Sequence, residues 1–310
     1  MRTHRSFVLG AALLALALFA GACGSGEGEN TSGANQSPKG SITVGVSAAF
    51  PENQIVADMY AEVLENAGYD VKRQLNIGSR DVSSPALESG KIDVKPEYLA
   101  FELVFQNPKD SGNGTPDQIE SRLSKALQPK GIAVLDYSQA NDTNAFVVTQ
   151  QTAQKYHLAK MSDLAPVASQ LTLGGPPECP KRPFCLPGLK KVYGIQKFAK
   201  FEPVGVCDSA TAEALDAGRV DVALLCSTQS IISQKGWVAL EDDKQLQQAG
   251  NIVPLVRTDV LNDEVRNLLN RVSAALDTTT MTQLNAQVEL QREDPDDVAR
   301  SFLEQKGLLG

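Results

Sequence analysis

A two-lobed α/β fold with a functional cleft between the lobes follows from three features: an internal repeat, the glycine that ends each repeated helix, and the residues at the strand ends. The run Ala86-Leu87-Glu88-Ser89-Gly90-Lys91-Ile92-Asp93-Val94 recurs 128 positions later as Ala214-Leu215-Asp216-Ala217-Gly218-Arg219-Val220-Asp221-Val222. Each copy ends a helix at glycine, which adopts the left-handed conformation of a helix C-terminus without strain. A short β-branched strand follows, over Ile92 to Val94 and Val220 to Leu225. Two helix–Gly–strand copies predict two similar α/β halves. In open parallel sheets, ligands bind beyond the carboxyl ends of the strands. Those ends are Pro96-Glu97-Tyr98 and Cys226-Ser227-Thr228-Gln229.

The elements follow in order. Ser41 to Ser47 alternates and is β-branched, which predicts a strand. A helix opens at Phe50-Pro51-Glu52-Asn53-Gln54, carries Ile55, Val56, Met59, Tyr60, Val63 and Leu64 at helical spacing, and stops at Gly68. Tyr69 to Leu75 is a second strand, and Ser79 is placed to cap the helix ending at Gly90. Leu99 to Phe105 continues as helix, and Thr115-Pro116-Asp117-Gln118 reads as a capping box with proline at the first helical position. Ile132 to Tyr137 is a strand, Asn141-Asp142-Thr143 interrupts the pattern as the first crossover, and Asn144 to Thr149 resumes as strand. Beyond it, Ser162 to Ala165 starts a helix, Gly175 to Pro187 is proline-rich, and Val204 to Cys207 reads as a strand before the repeat. Asn251 to Val256, interrupted by Pro254, predicts an edge strand or the second crossover. Val265, Leu268, Leu269, Val272 and Leu276 form one helical face, and Asp294 caps a last helix from Pro295 to Gln305.

The N-terminus is read as a targeting segment and excluded from the fold. Arg2 and Arg5 precede an apolar run, Phe7 to Phe19, and Ala20-Gly21-Ala22 stand before Cys23. Small residues before a cysteine resemble a bacterial lipobox, so residues 1–22 are expected to be a lipoprotein signal peptide and Cys23 the lipid anchor. The apolar run is shorter than the roughly 20 residues a spanning helix needs. Residues 23–40, rich in Gly, Ser, Asn and Glu, form a flexible linker. The remainder suits two domains of roughly 100–150 residues each: domain 1 is expected at 41–142 plus 256–310, and domain 2 at 143–255. Formal net charge is −8, and losing Arg2 and Arg5 makes the mature chain more acidic still. Such a balance, with no basic patch, argues against a nucleic-acid partner.

Beyond Cys23, an even number of cysteines in an exported chain implies disulfides with three possible connectivities. Cys179–Cys185 closes a short loop, and Cys207 and Cys226 end strands expected to be neighbours, so these two pairs are predicted. The outer spacings do not fit paired Cys-x-x-Cys zinc knuckles. Catalytic signatures are scarce: the chain contains no phosphate-binding P-loop, Gly-x-Ser-x-Gly elbow or His-Glu-x-x-His. His157, the one histidine of the mature chain, is expected to be a solvated surface residue. No enzyme, cofactor or metal site is expected.

Residues 42 to 309 resemble the glycine betaine/choline/carnitine-binding (OpuAC-type) proteins of osmoprotectant ABC importers. The matching stretches are Phe50 to Gln54, Gly90 to Tyr98, Met161 to Ala165, Leu186 to Gly194, Gly218 to Val222, Leu240 to Lys244 and Gly250 to Val256. The resemblance implies a type II periplasmic-binding-protein (Venus flytrap) fold, two α/β domains joined by two crossovers. It also implies an extracytoplasmic, lipid-anchored monomer that delivers a small-molecule ligand to permease and ATPase subunits. The family holds a quaternary ammonium in an aromatic cage and a carboxylate through arginine. By position, Tyr98 matches a family tyrosine and Arg182 the arginine. With the strand ends, the expected ligand-binding set is Phe50, Glu97, Tyr98, Asn144, Arg182, Ser227, Thr228 and Gln229.

Several positions depart from the family pattern. Asn144 and Ala212 stand where cage tyrosines are expected, and Gln229 replaces an aspartate. Losing two rings at ~1–2 kcal/mol each would weaken a quaternary cation by about 30- to 1000-fold. Asn144 and Gln229 instead offer both donors and acceptors, so a polyol, sugar-like or phenolic ligand is a second reading. A surface lipoprotein with a sensing or interaction role is a third.

Overall fold

The computed structural model describes residues 39–47, 51–205, 207 and 209–309. The expected signal peptide, Cys23, nearly all of the linker, and Phe50 lie outside these residues. The first lobe begins with β1 (Ser41–Ser47), α1 (Pro51–Asn66), β2 (Asp70–Ile77), α2 (Arg80–Glu88), β3 (Val94–Tyr98), α3 (Leu99–Gln106), α4 (Pro116–Leu127) and β4 (Ile132–Val134). The second comprises β5 (Asn144–Val148), α5 (Gln150–Tyr156), β6 (Thr172–Gly175), α6 (Leu186–Tyr193), β7 (Lys200–Pro203), α7 (Ser209–Asp216), β8 (Val222–Cys226), α8 (Ser230–Gln234) and β9 (Val238–Ala239). The chain then returns to the first lobe with β10 (Ile252–Arg257), α9 (Asp263–Ala275), α10 (Thr278–Glu289) and α11 (Pro295–Gln305).

Each lobe is built on one five-stranded sheet, ordered β2-β1-β3-β10-β4 in the first and β7-β6-β8-β5-β9 in the second. Both are parallel except for the strand that re-enters after a crossover: β10 runs antiparallel to β3 and β4, and β5 antiparallel to β8 and β9. Apolar residues of β1, α1, β10, α9 and α11 form the main core of the first lobe, and Phe146, Leu173, Leu189 and Leu224 anchor that of the second. The repeat sits where the sequence places it: Gly90 and Gly218 adopt φ of 76° and 67° at the ends of α2 and α7, and β3 and β8 lie at equivalent places in their sheets.

The structure corrects several sequence assignments. β10 is an interior strand, so Ile252 to Leu255, which the sequence boundary gives to domain 2, pair with β3 in the first lobe. Pro254 stands opposite Pro96, and its carbonyl accepts from Leu135 N at 3.1 Å on the β4 side. The prolines therefore meet at a pair whose N–H groups the β3–β10 ladder does not use. The crossovers themselves pair at the Asn141–Asn251 bridge. There Gly250 approaches the Asp142 carbonyl so closely that a Cβ would lie 1.6 Å from its oxygen.

Val204, Gly205 and Cys207, from the expected strand Val204 to Cys207, are not in strand conformation; β7 precedes them, as a charged edge strand of only four residues. Cys207 takes φ of 50°, which strand geometry excludes. Both predicted disulfides are nevertheless present, with Cα separations of 5.2 Å for Cys179–Cys185 and 5.0 Å for Cys207–Cys226. The second joins the loop entering α7 to the end of β8, not two adjacent strands. Ser79 precedes α2 but accepts no capping bond; its hydroxyl donates to Asp81 at 3.3 Å. Ser162 to Ala165 yields only a single 3-10 turn, Met161–Leu164. Thr115 and Asp294 cap their helices as predicted, and His157 is exposed, in a left-handed C-cap.

Candidate functional site

The first turn of α1 and the C-terminal part of α10 in the first lobe, with the end of β8 and the segment after it in the second, enclose a cleft. Its inner part, about 50 Å³, is lined by Glu52, Asp142, Thr228 and Asn285 among others. Its outer part, about 580 Å³, extends between α7, α8 and Trp237 of the second lobe and Val288 to Arg292 of the first. Pro51, Cys207, Gln229 and Glu289 border both parts, so the two are adjacent.

Two buried carboxylates dominate the inner end. Asp142, carried by the first crossover, accepts from Thr228 Oγ1 at 3.0 Å and from Thr228 N at 3.4 Å. Glu52, in the first turn of α1, meets Tyr98 Oη at 2.5 Å and Asn285 Nδ2 at 3.2 Å. Tyr98 Oη is also 2.8 Å from Asn53 Oδ1. One phenol proton cannot serve both acceptors, and a proton on Glu52 would complete the set. Burial pushes Glu52 upward from the usual carboxylate range, against hydrogen bonds that include one from Tyr98. Burial, and then the charge of Glu52, pushes Asp142 well upward. Among the described residues, no lysine or arginine bonds either carboxylate. Asn285 Oδ1 is a further buried acceptor without a donor. The inner cleft is thus rich in acceptors and poor in positive charge.

The same residues tie the lobes together. Asn285 Nδ2 donates to Thr228 O at 3.2 Å, and Ser230 Oγ donates to Glu289 Oε2 at 2.7 Å. Both bonds join α10 of the first lobe to the segment after β8 in the second.

The sequence-derived residues are distributed unevenly around this cleft. Thr228 and Gln229 line it; Gln229 Oε1 accepts from Cys226 N at 3.0 Å. Ser227 serves the hinge, its Oγ accepting from Thr143 N at 2.9 Å. Tyr98 is 7% exposed and lies edge-on to Phe101, so its ring is packed and its hydroxyl reaches the cleft through Glu52. Glu97 belongs to a separate buried cluster, where Arg80 and Lys95 approach it at 2.5 Å and 2.7 Å. Burial opposes its ionisation, but the two cations outweigh that and hold it well below the usual carboxylate range. A cavity of about 190 Å³ lies beside this cluster, within the first lobe. Asn144 is half-buried and donates to Gln247 Oε1 at 2.9 Å. Arg182 lines neither part of the cleft; it is 40% exposed on the Cys179–Cys185 loop, 3.7 Å from Glu178. The sequence reading missed Glu52, Asp142, Asn285, Glu289 and Trp237. Glu52 within a family stretch, Asp142 on the expected crossover and Trp237 as the sole tryptophan carried some signal; Asn285 and Glu289 carried none.

Two α/β lobes joined by paired crossovers around an interlobe cleft define a type II solute-binding protein. Residues 40–305 match the family OpuAC, described as the substrate binding domain of the ABC-type glycine betaine transport system, and the chain belongs to that family. A glycine-betaine-binding protein of Pseudomonas aeruginosa is 27% identical over 280 residues, covering 84% of this chain and 86% of the relative. The carnitine transport binding protein OpuCC of Listeria monocytogenes is 27% identical over 299 residues, covering 94% and 93%. A solved structure described as a glycine betaine/carnitine/choline ABC transporter superposes with a TM-score of 0.78 at 24% identity, over 87% of this chain and 99% of the other, which supports the fold. The family comprises extracytoplasmic solute-binding proteins of ABC transporters and is not an enzyme family. No helix among the described residues is long and apolar enough to cross a membrane.

Proposed function

We propose that this protein captures a betaine in the interlobe cleft and hands it to the permease and ATPase of an ABC importer, without chemical turnover. The observation that carries the reading is the buried pair Glu52 and Asp142, which no basic side chain among the described residues bonds. Burial without a counter-charge favours the protonated form of this pair in the apo-protein, and a quaternary ammonium, which neither donates nor accepts conventional hydrogen bonds, supplies the counter-charge that favours its ionisation. The carboxylates thereby take over part of the role expected of the missing rings at Asn144 and Ala212. The names of the Pseudomonas and Listeria relatives support the same ligand class. Thr228, Gln229 and Asn285 shape the inner cleft, Ser227 holds the hinge, and Tyr98 acts by orienting Glu52. Glu97 holds the charged cluster behind β3 and does not meet the ligand.

Ligand bound to both lobes shifts a hinge equilibrium toward the closed form, which the permease recognises. Opening requires the bonds of Asn285 to Thr228 and of Ser230 to Glu289 to part. The protein works as a monomer, held to the outer face of the membrane through lipid on Cys23; Cys23→Ser should move it from the membrane to the soluble fraction. Calorimetric titration of the mature protein against glycine betaine, carnitine, choline, proline, polyols and phenolics tests the ligand. Heat from the quaternary ammonium compounds alone is expected. Saturable binding of a polyol or phenolic, with none of any quaternary amine, would reject the reading.

A further inference from the structure

Adjacent residues on the second crossover are bonded to opposite lobes. Gln247 is held by the second lobe. Its Nε2 donates to Phe184 O at 3.0 Å, its Oε1 accepts from Asn144 Nδ2 at 2.9 Å, and its backbone N donates to Asp242 Oδ2 at 2.6 Å. Gln248 is held by the first. It is 4% exposed, and its Nε2 donates at 2.6 Å to Ser111 O, in the loop between α3 and α4. That loop is shaped to receive it: Gly112 takes φ of 67°, and a Cβ there would lie 1.9 Å from Gln248 Nε2. Asp110 accepts from Gly112 N at 2.9 Å and pairs with Arg122 at 3.1 Å, which fixes the loop to α4. Beyond Gln248 the chain stays with the first lobe, since Ala249 O and Asn251 O accept from Ala100 N and Leu99 N, each at 3.1 Å.

The first crossover divides in the same way. Asp142 N donates to Gly250 O at 3.0 Å, on the side of the first lobe. Thr143 N donates to Ser227 Oγ at 2.9 Å, and Thr143 O accepts from Ser227 N at 2.8 Å, on the side of the second. Hinges are the few positions that absorb backbone rotation while their neighbours stay bonded to one rigid body or the other. The Asp142 carboxylate, bonded to Thr228, spans this division.

We infer that the lobes pivot at the backbone torsions beside the 142–143 and 247–248 peptides, and that Gln247 and Gln248 are positioning residues that set ligand affinity without touching the ligand. Neither glutamine lines either part of the cleft. The inference rests on the hinged-lobe part of the proposed function and not on the chemistry of the ligand. Asn144, which stands where a cage tyrosine is expected, thereby serves the hinge through Gln247. Cutting either anchor lets a longer stretch of crossover vary in the open form, while the interlobe bonds of the closed form still restrict it. The added freedom favours the open form, and the binding-competent fraction falls.

The test measures interlobe distances in the mature protein by pulsed electron–electron double resonance. Spin labels are placed at Lys125→Cys and Lys155→Cys, exposed positions of the first and second lobes. Affinity for trimethylglycine is measured by calorimetry. Gln248→Met and Gln247→Met keep side-chain volume but remove the anchoring bonds. Each should broaden the apo distance distribution toward wider separations and weaken trimethylglycine at least threefold, with the ligand-bound distribution unchanged. Gly112→Ala, which displaces the Gln248 amide from the loop side, should reproduce the effect of Gln248→Met. Gln106→Met removes bonds from Gln106 Nε2 to Glu102 and Glu88, away from the crossovers, and should leave both readouts as in the parent. Apo distributions that stay unchanged in the three hinge variants, or broaden equally in Gln106→Met, would overturn the inference. If trimethylglycine fails to bind the unaltered protein, the betaine reading falls and the apo distributions decide the inference by themselves.

Discussion

Two groups of buried carboxylates lie close together in the first lobe and are treated in opposite ways. Behind β3, Glu97 and Glu102 share Arg80 and Lys95: Arg80 Nε lies 3.4 Å from Glu102, and Ser84 Oγ bridges from Lys95 to Glu102 with bonds of 2.8 Å and 2.9 Å. That cluster is electrically closed. At the cleft, Glu52 and Asp142 receive hydrogen bonds from neutral groups and, among the described residues, meet no cation. The comparison separates structure from recognition. Here the fold stabilises the charges it keeps for itself with its own counter-charges, and buries without a counter-charge the carboxyls that a ligand is to ionise.

The largest test breaks the closed cluster. Lys95→Met removes a cation whose side chain is 2% exposed and leaves Glu97 and Glu102 to Arg80 alone. A loss of about 3–5 kcal/mol is expected from urea unfolding. A loss below ~1 kcal/mol would show that the cluster is no firmer than a surface pair.

At the open pair the same kind of change should act on binding. Glu52→Gln and Asp142→Asn should each weaken a quaternary ligand by about 10- to 100-fold, or roughly 1.4–2.7 kcal/mol, while stability holds or rises. Unchanged affinity in both variants would remove the carboxylates from the site.

The difference also predicts a pH dependence with a definite sign. Burial raises Glu52 and Asp142, so the folded apo-protein retains protons that the unfolded chain has lost. Their contribution to stability is complete below the ordinary carboxylate range and declines as pH rises toward their folded values. Asp58, pushed up to about 7 by burial and the nearby Asp296 charge, acts in the same direction. Glu97 acts in the opposite one, its contribution being lost on acidification. Thermal melts of the apo-protein carrying both Glu52→Gln and Asp142→Asn should therefore fall less between pH 4 and pH 7 than those of the parent. Parallel curves would contradict this assignment. A quaternary ligand should bind more tightly as pH rises over that interval, because its charge favours ionised carboxylates.

The smallest effect is expected at Arg182. Exposed, and 3.7 Å from its carboxylate neighbour, it belongs to neither group. Arg182→Ala should change affinity by less than about twofold; a tenfold loss would bring the disulfide loop into the site.

How much of this the sequence conveys depends on the range of the interaction concerned. Local chemistry was legible. Thr115 and Asp294 cap their helices, Gly90 and Gly218 turn out of theirs, and the alternation of Ser41 to Ser47 makes a strand. β7 escaped because its alternation, Lys-Phe-Glu-Pro, spans only four residues and ends in proline. The Cys207–Cys226 bridge was paired correctly for a reason the fold does not support, since β6 lies between β7 and β8. α10 offered no site signal at all. Its first turns are threonines, and Asn285 and Glu289 read as ordinary surface residues until tertiary packing sets them against Thr228 and Ser230.

By itself, then, the sequence determined the two α/β halves, their repeated strand ends and the expectation of a cleft between them. Periodicity, capping and helix-ending glycines act over a few residues and leave their mark in the order of side chains. Tertiary structure alone decided which carboxylates are neutralised and which face the cleft. Glu52, Asp142 and Asn285 are far apart in the chain, and their meeting depends on how two lobes close around a hinge. A charge is defined chemically by the groups that surround it, and no stretch of sequence contains those surroundings.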